Sequence, residues 1–237
     1  MATQVLDANT RATIVRKAVR NVFVMLLYTG GALLLAAGRW DWPQAWVLIL
    51  ILLAYFTAWV SWGLRNNSSL LMERADSMAH DSPAWDKAIV RFNMLLSLGL
   101  YVVAGLDFGR YHWSEMPGWL QMVGLVLSVL GYALPLWALT SNPFASGVVR
   151  IQKERGHTVS KQGPYAYIRH PMYAGVFVYG IGAPLFLGSW WALIPGLLMI
   201  GLFATRTLLE DRTLREELEG YKEYAQEVRY RWVPGIW

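Results

Sequence analysis

Residues 163–175 combine side chains suited to recognising a charged heterocyclic ligand. The stretch reads Gly-Pro-Tyr-Ala-Tyr-Ile-Arg-His-Pro-Met-Tyr-Ala-Gly. Tyrosine rings stack on heterocycles or contact cations, and the unpaired amides of a helix start bind carboxylates. Pro171 suits the first helical position and pushes His170 toward extended geometry, away from the helix axis. The segment therefore predicts a ligand site, and the alternative is an aromatic belt with a helix cap at the membrane surface.

Two further segments carry groups that bind ligands. Glycine-containing turns flank residues 157–160 (His-Thr-Val-Ser), so this loop either presents amides and small hydroxyls or is a solvated connector. Arg206 and Glu210 lie four residues apart on one predicted helix face. They form either a local ion pair or a site in which Glu210 holds a cationic or hydroxyl group and Arg206 an anionic one. Arg231 is either a substrate contact or a lipid-headgroup anchor.

The elements that must position these groups are membrane helices. The chain has 237 residues, 55% hydrophobic and only 16% charged, whereas soluble domains carry about 25% charged residues. Most of its apolar segments reach or approach the length that crosses a bilayer. These segments are residues 21–38, 42–63, 92–108, 118–140, 172–188 and 189–209. We predict an all-α polytopic membrane bundle of about six transmembrane helices, whose last two form a hairpin, with a cytoplasmic loop and a C-terminal helix.

Positive charge predicts the orientation. Of the 21 Lys and Arg residues, 19 precede the first segment, lie in 64–91 or 141–171, or follow residue 205. The alternate loops hold only Arg39 and Arg110. Positive loops stay in the cytoplasm, so both termini and the candidate site are predicted to be cytoplasmic. The net charge of +5 is therefore a topology signal, with membrane lipids as partners, and no basic-aromatic module indicates nucleic-acid binding.

Cysteine and metal chemistry find no support in the sequence. The chain contains no Cys, which excludes disulfides, thiolate nucleophiles and Cys-bound metals. Its four His residues lack the HxxxH and HExxH spacings of zinc sites. We therefore expect no metal.

The chemistry-bearing residues together resemble the isoprenylcysteine carboxyl methyltransferase family of membrane methyltransferases, which is related to the phospholipid methyltransferases. The resemblance covers about 140–237 and keeps the order and spacing of the family's motifs. The motifs are Gly-His-Thr-Val at 156–159, Gly-Pro-Tyr at 163–165, Arg-His-Pro-x-Tyr-x-Gly at 169–175, Glu-Asp-x-x-Leu at 210–214 and Arg-x-Val-Pro at 231–234. Asp211 stands where the family has Glu, a change that keeps the charge.

The resemblance implies S-adenosylmethionine as the cofactor, bound between the cytoplasmic loop and the helix ends. By position, the cofactor-binding residues would be Gln152, His157, Thr158, Val159, Ser160, Gly163, Tyr165, His170, Pro171, Met172, Tyr173 and Glu210. The family's helix-six Arg near the acceptor matches Arg206. The expected catalytic residues are therefore Arg206 and Glu210, and the expected substrate contacts are Arg206 and Arg231.

The distribution of apolar helices and chemistry-bearing residues divides the chain into two parts. Residues 1–140 would be a transmembrane scaffold, with an interfacial helix at 10–20 followed by four membrane helices. The lipid-facing residues of that interfacial helix would be Ile14, Val15, Ala18 and Val19. Residues 141–237 would be the catalytic half: the cofactor-binding loop, with an extended stretch at 148–152, then the hairpin and an amphipathic segment. That segment, 211–231, is too polar to span a bilayer and is expected to cover the site.

The implied acceptor is a lipid or lipophilic small molecule, and a carboxylate fits best. A carboxylate is already ionised at pH 7, so positioning and exclusion of water suffice, and no catalytic dyad or triad is needed. Arg206 would orient it while the lipid part enters between helices. An amine would first have to lose a proton, and only Glu210 and His170 are available to take it. The oligomeric state is left open.

Two other functions remain open at this point. Sterol reductases, membrane enzymes that use NADPH, have a distantly similar C-terminal half and a Tyr-Arg-x-x-Pro ending like residues 230–234. A non-catalytic lipid-binding membrane protein would keep only the fold. Residues 157–159 and Glu210 favour the methyltransferase over the reductase, and the intact His170 and Tyr173 argue against loss of activity. Cofactor binding distinguishes all three.

Overall fold

The computed structural model describes residues 8–75 and 82–237, and within them the chain forms α-helices and no strand. The helices are α1 (Ala8–Ala37), α2 (Pro43–Asn66), α3 (Ser68–Ala75), α4 (Ala84–Leu106), α5 (Gly118–Ser141), α6 (Pro171–Leu187), α7 (Leu193–Glu217) and α8 (Tyr221–Glu227). A π-helical turn extends α4, and two short 3-10 turns lie in the long loop between α5 and α6.

Five helices are long and apolar enough to cross a membrane: α1, α2, α4, α5 and α7. The sixth apolar helix, α6, has 17 residues and is largely buried. It forms the predicted hairpin with α7, because Gly188 ends α6 with φ 80°, a left-handed conformation that glycine adopts without strain. The predicted all-α membrane bundle is confirmed.

Glycines allow α5 and α6 to lie in backbone contact. A Cβ at Gly124 of α5 would come within 2.7 Å of the Leu185 carbonyl carbon, and one at Gly182 of α6 would come within 2.7 Å of the Ser128 nitrogen. Small residues permit such close approach between membrane helices. Because the candidate site begins where α6 begins, this packing fixes the site against α5.

The third apolar helix begins earlier than predicted. It starts at Ala84 rather than near residue 92. The prediction missed this first part because polar residues there lower the local hydropathy. One of them, Asp86, is fully buried (0% exposed) and pairs with Arg206 of α7. A carboxylate that is paired inside the protein is compatible with a helix, but it lowers the mean hydropathy by which such a helix is predicted.

Two expectations for local structure are wrong. Residues 10–20 do not form a separate interfacial helix, because α1 runs without a break from Ala8. Ile14, expected to face lipid, is buried against Trp59 of α2 and Leu139 of α5. Residues 148–152, expected to be strand-like or extended, lie within the irregular loop between α5 and α6 and form no strand with any described residue.

Candidate active site

Residues 163–175 adopt the local structure that their sequence predicts. Proline stands at the first position of α6, and His170 before it has φ −126°, outside the helical region. The side chains of Tyr165, His170 and Tyr173 are all buried, whereas Tyr167 is exposed. Three of the four rings therefore face the protein interior, which an aromatic belt at the membrane surface does not require.

Asp211 joins the start of α6 to α7 and α8. Its carboxylate is buried in α7, and Arg169 donates to both oxygens at 2.9 and 3.1 Å. The Tyr221 hydroxyl of α8 donates at 2.8 Å. His170 Nε2 lies 3.3 Å from the same group. A buried carboxylate with this many partners holds the three helices in one arrangement.

The C-terminal segment lies directly against this network. The backbone N–H groups of Arg169 and His170 donate to the carbonyls of Tyr230 and Arg231 at 2.9 and 3.0 Å. The Arg169 side chain also donates to the carbonyl of Val228 at 2.7 Å. The amphipathic segment that was expected to cover the site is thus anchored at the start of α6.

These elements surround one cavity, whose interior accessible to water is about 90 Å³. Its lining includes ten of the predicted cofactor residues: His157, Thr158, Val159, Ser160, Tyr165, His170, Pro171, Met172, Tyr173 and Glu210. We call it the polar cavity. Sequence reasoning missed other lining residues, such as Asn142, Phe144, Ser146 and Leu214, because their types are common in connectors and helices.

Glu210 is the carboxylate that lines this cavity. Its side chain is 21% exposed, and Tyr173 donates its hydroxyl to it. His170 Nδ1 lies 3.9 Å away. The local ion pair with Arg206 that the spacing allowed is not formed. Glu210 therefore keeps acceptor capacity for a cationic or hydroxyl-bearing ligand.

Residues 157–160 leave backbone donors unbonded beside the cavity. Within the described part of the chain, no protein acceptor is bound by the amides of Thr158, Val159 and Ser160. Unbonded backbone amides carry partial positive charge, which favours anionic groups. The loop can therefore bind a carboxylate.

His157 anchors that loop as a neutral ring. Its Nδ1 accepts the Gln152 N–H at 3.3 Å, and its ring stacks on Phe144 with centroids 4.7 Å apart. Burial, followed by the charges of Arg155 and Arg150, lowers the pKa of His157 to about 4. At pH 7 the imidazole is uncharged, which keeps Nδ1 available as an acceptor.

Arg206 does not line the polar cavity and pairs with a residue from the first half of the chain. Its Nε lies 2.7 Å from Asp86 Oδ1, and its Nη2 donates to the Gly147 carbonyl at 3.1 Å. Asp86 also accepts the Val149 N–H at 2.8 Å. The guanidinium lies 5.2 Å from the Tyr173 ring centroid, so Arg206 stands behind the cavity wall. A carboxylate at the start of a membrane helix was the only sequence signal for Asp86.

Three other predicted residues also lie outside the lining. Gln152 is fully buried and donates to the Phe144 carbonyl at 2.7 Å. Gly163 has φ 59°, a conformation that favours glycine. Arg231 Nη2 lies 3.3 Å from Asp211. These positions shape the loop and the C-terminal segment.

A second, mainly apolar cavity lies between α1, α2 and α3, and its interior accessible to water is about 790 Å³. We call it the apolar cavity. Its apolar lining includes Ile14, Val22, Met25, Phe56, Trp59, Val60, Leu71 and Met72. Gly147 also lines it, whereas the preceding Ala145 and Ser146 line the polar cavity. Residues 145–147 therefore separate the two cavities. Among the described residues, no cluster of His, Asp and Glu suits a metal ion.

Comparison with known proteins finds a matching region that contains most residues lining the polar cavity. A model of the isoprenylcysteine carboxyl methyltransferase family matches residues 122–217. Protein-S-isoprenylcysteine O-methyltransferase B of Arabidopsis thaliana is 28% identical over 140 residues, 57% of this chain and 68% of that protein.

Two vertebrate relatives extend the likeness to most of the chain. The protein-S-isoprenylcysteine O-methyltransferase of Xenopus laevis is 24% identical over 230 residues, 92% of this chain and 73% of that protein. The human enzyme of that name is 26% identical over 229 residues, 89% of this chain and 72% of that protein. The likeness therefore reaches beyond residues 140–237.

A solved structure shares the fold. The eukaryotic intramembrane Ras methyltransferase ICMT matches with a TM-score of 0.60 over 95% of this chain and 85% of that one, at 18% identity. The relatives are methyltransferases by name, which favours this class over the reductase alternative. Through the family model over residues 122–217, the named relatives and the shared fold, the chain is similar to the isoprenylcysteine carboxyl methyltransferase family of integral membrane enzymes.

Proposed function

We propose that this protein transfers a methyl group from S-adenosylmethionine to the carboxylate of a lipid that carries an isoprenoid chain. One observation carries the proposal: a polar cavity lined by family-matched residues adjoins an apolar cavity between membrane helices, with residues 145–147 at the boundary. The names of the relatives specify S-isoprenylcysteine in a protein. For this chain we propose the same chemical class, a prenylated carboxylate.

The polar cavity offers the groups that S-adenosylmethionine needs. When bound, that molecule supplies a methyl group made electrophilic by its sulfonium. Tyr165 and Tyr173 provide ring faces for the base and the cationic centre. The unbonded amides of residues 158–160 suit the carboxylate of the amino-acid group. Glu210 suits its ammonium or the ribose hydroxyls.

A carboxylate acceptor requires positioning and exclusion of water rather than a general base. Carboxyl groups have an ordinary pKa near 4, so the acceptor is ionised at pH 7. The apolar cavity would hold the isoprenoid chain, which keeps the reacting carboxylate at the boundary with the polar cavity. We propose Arg206 as the positively charged neighbour of the acceptor, because its side chain donates to the carbonyl of Gly147, which lies between the two cavities. Arg231 is bound to Asp211 and would act mainly by holding the covering segment.

The proposed orientation has both termini and the polar cavity in the cytoplasm, as the distribution of Lys and Arg indicates. Residues 141–237 would form the catalytic half. The scaffold, residues 1–140, would contribute the apolar cavity and the Asp86 carboxylate that holds Arg206.

Replacement of Glu210 tests the cofactor site. Glu210→Gln keeps the shape but removes the charge, and charge-assisted hydrogen bonds contribute about 1.5–3 kcal/mol. We expect detergent-purified Glu210→Gln to bind S-adenosylhomocysteine at least about tenfold more weakly in calorimetric titration. Glu216→Gln is the matched control, because Glu216 lies in the same helix, exposed and paired only with Arg212 among the described residues.

The same titration with NADPH tests the reductase alternative. Binding of S-adenosylhomocysteine alone by the wild-type protein supports the proposed function. Binding of NADPH alone, or of neither ligand by folded protein, would contradict it. Unchanged affinity in Glu210→Gln would remove Glu210 from the cofactor site.

A further inference from the structure

Arg74 stands at the wall between the two cavities. It lies in the last turn of α3, and its Nη1 donates to the carbonyls of Ala145 and Ser146 at 2.9 and 3.0 Å. These two residues line the polar cavity, whereas Arg74 itself lines the apolar cavity. A molecule whose tail fills the apolar cavity and whose head reaches the polar one must pass this guanidinium.

Two nearby arginines pair with carboxylates, whereas Arg74 pairs with none of the described ones. Arg206 pairs with Asp86, and Arg150 pairs with Glu73. Within the described residues, Arg74 binds only the two carbonyls and forms no ion pair, so its Nε and Nη2 bind no protein acceptor there. Its positive charge is therefore not compensated by any carboxylate in the described part of the chain.

The electrostatics of Arg74 reflect this missing partner. Burial lowers the pKa of the Arg74 guanidinium, and the like charge of Arg206 lowers it further. Arg74 also acts on the polar cavity, because its charge opposes the rise that burial causes in the pKa of the Tyr165 phenol. A cation held near another cation without a counter-ion favours binding of an anion between them.

We propose that Arg74 binds the carboxylate of the methyl acceptor, with the acceptor's apolar chain in the apolar cavity. This inference rests on the proposed function and deepens it. The Asp86–Arg206 pair then lies beside the acceptor without net charge, while Arg74 makes the direct ion pair through its two unbonded nitrogens. The charges balance, because the Asp86–Arg206 pair is neutral and the acceptor carboxylate neutralises Arg74.

The alternative is that Arg74 only fastens residues 145–147. A purely structural role would not depend on the charge of the acceptor. Two probes that differ only in charge therefore distinguish it from direct binding of the carboxylate. We would use N-acetyl-S-farnesylcysteine and its carboxamide, which differ in the carboxylate alone. Their dissociation constants would be measured by microscale thermophoresis with detergent-purified protein in saturating S-adenosylhomocysteine, so that no turnover is needed.

The wild-type protein should bind the acid at least about tenfold more tightly than the amide, as expected for a charge-assisted ion pair. Arg74→Gln should remove that preference while keeping the affinity for S-adenosylhomocysteine. Lys17→Gln is the matched control, because Lys17 lines the same cavity from α1 and the same charge is lost. It should keep the preference for the acid.

Each outcome decides the proposal. A preference that survives in Arg74→Gln, or that Lys17→Gln removes equally, overturns it, as does a wild-type protein without any preference. If Arg74→Gln does not fold, Arg74→Lys replaces it. Weaker binding of the acid probe, with unchanged affinities for the amide probe and S-adenosylhomocysteine, supports the ion pair. An equal loss of affinity for all three ligands overturns it. Wild-type protein that prefers the acid through Arg74 but does not methylate it refutes the proposed function and leaves this inference standing.

Discussion

Adjacent carboxylates in α7 have separate tasks. Successive helical residues point about 100° apart, so Glu210 and Asp211 cannot share one environment. Glu210 lines the polar cavity, whereas Asp211 is 3% exposed and bound by Arg169 and Tyr221. The family's second Glu is replaced here by Asp, whose shorter side chain still reaches these donors. At the scale of single residues, the charge of Glu210 is available to a ligand, whereas that of Asp211 is neutralised by its protein partners.

His157 should make the protein sensitive to mild acid. Its pKa is about 4 in the folded protein against an ordinary value of 6.5, so between these values the unfolded chain binds more protons. The stabilising contribution is present above pH 6.5 and is lost as pH falls toward 4. We expect the unfolding midpoint in detergent to fall across this window, and His157→Gln should flatten that slope.

The control for this prediction is a histidine on the opposite side of the bundle. His112 is exposed and has φ 51°, a conformation that Asn tolerates, so His112→Asn should keep the wild-type slope. An unchanged slope in His157→Gln would show that another group causes the acid sensitivity.

At the scale of elements, the contact between α5 and α6 carries the site. Gly124 and Gly182 let the two backbones touch, and Pro171 begins α6 at one end of that contact. His170 and Tyr173 lie at the start of α6, so any shift of this short helix along α5 would move both side chains. Helix packing, rather than the loop, therefore determines the depth of the polar cavity.

Alanine at Gly124 should destabilise this contact. A Cβ there would lie 2.7 Å from the Leu185 carbonyl carbon, and backbone atoms cannot move aside locally. Overpacking costs about 1–3 kcal/mol, so the thermal midpoint of Gly124→Ala in detergent should fall clearly below that of the wild type. Gly201→Ala in α7 is the control, because a Cβ there meets nothing within 4 Å. Equal midpoints for the two variants would contradict close backbone packing at Gly124.

At the scale of the whole molecule, a polar cavity and an apolar cavity lie side by side. The polar cavity lies among the loop, α6, α7 and α8, and the apolar cavity lies among α1, α2 and α3. Under the proposed function, a water-soluble ligand and a lipid ligand would enter by separate approaches. Their reacting groups would then meet at residues 145–147.

The absence of cysteine makes the predicted orientation directly measurable. Glu115 and Glu219 are exposed on opposite sides of the bundle and accept single cysteine substitutions. In intact cells, a membrane-impermeant maleimide should label Glu115→Cys and should reach Glu219→Cys only after permeabilisation. The wild-type chain is the unlabelled control. The reverse pattern would place the polar cavity outside the cytoplasm.

The local part of the fold and site could be predicted from the sequence. Hydropathy alone located six apolar helices, and the turn chemistry of Pro171 located the start of α6. Residues 157–160 and 165–173 reach the cavity together because they are close along the chain. The start of α4 was missed, because the charge of Asp86 is neutralised only by Arg206, which is 120 residues away.

The sequence by itself determined the class of solvent, the helices and the resemblance to one family, since these follow from composition, periodicity and short ordered motifs. Only the tertiary structure decided which charges are neutralised and which are left over. It paired Arg206 with Asp86, gave Asp211 to Arg169, and left Arg74, at the boundary of two cavities, without an ion pair to any described residue. The physical reason is that an ion pair depends on distances of a few ångströms between side chains from separate helices, and helix packing sets those distances.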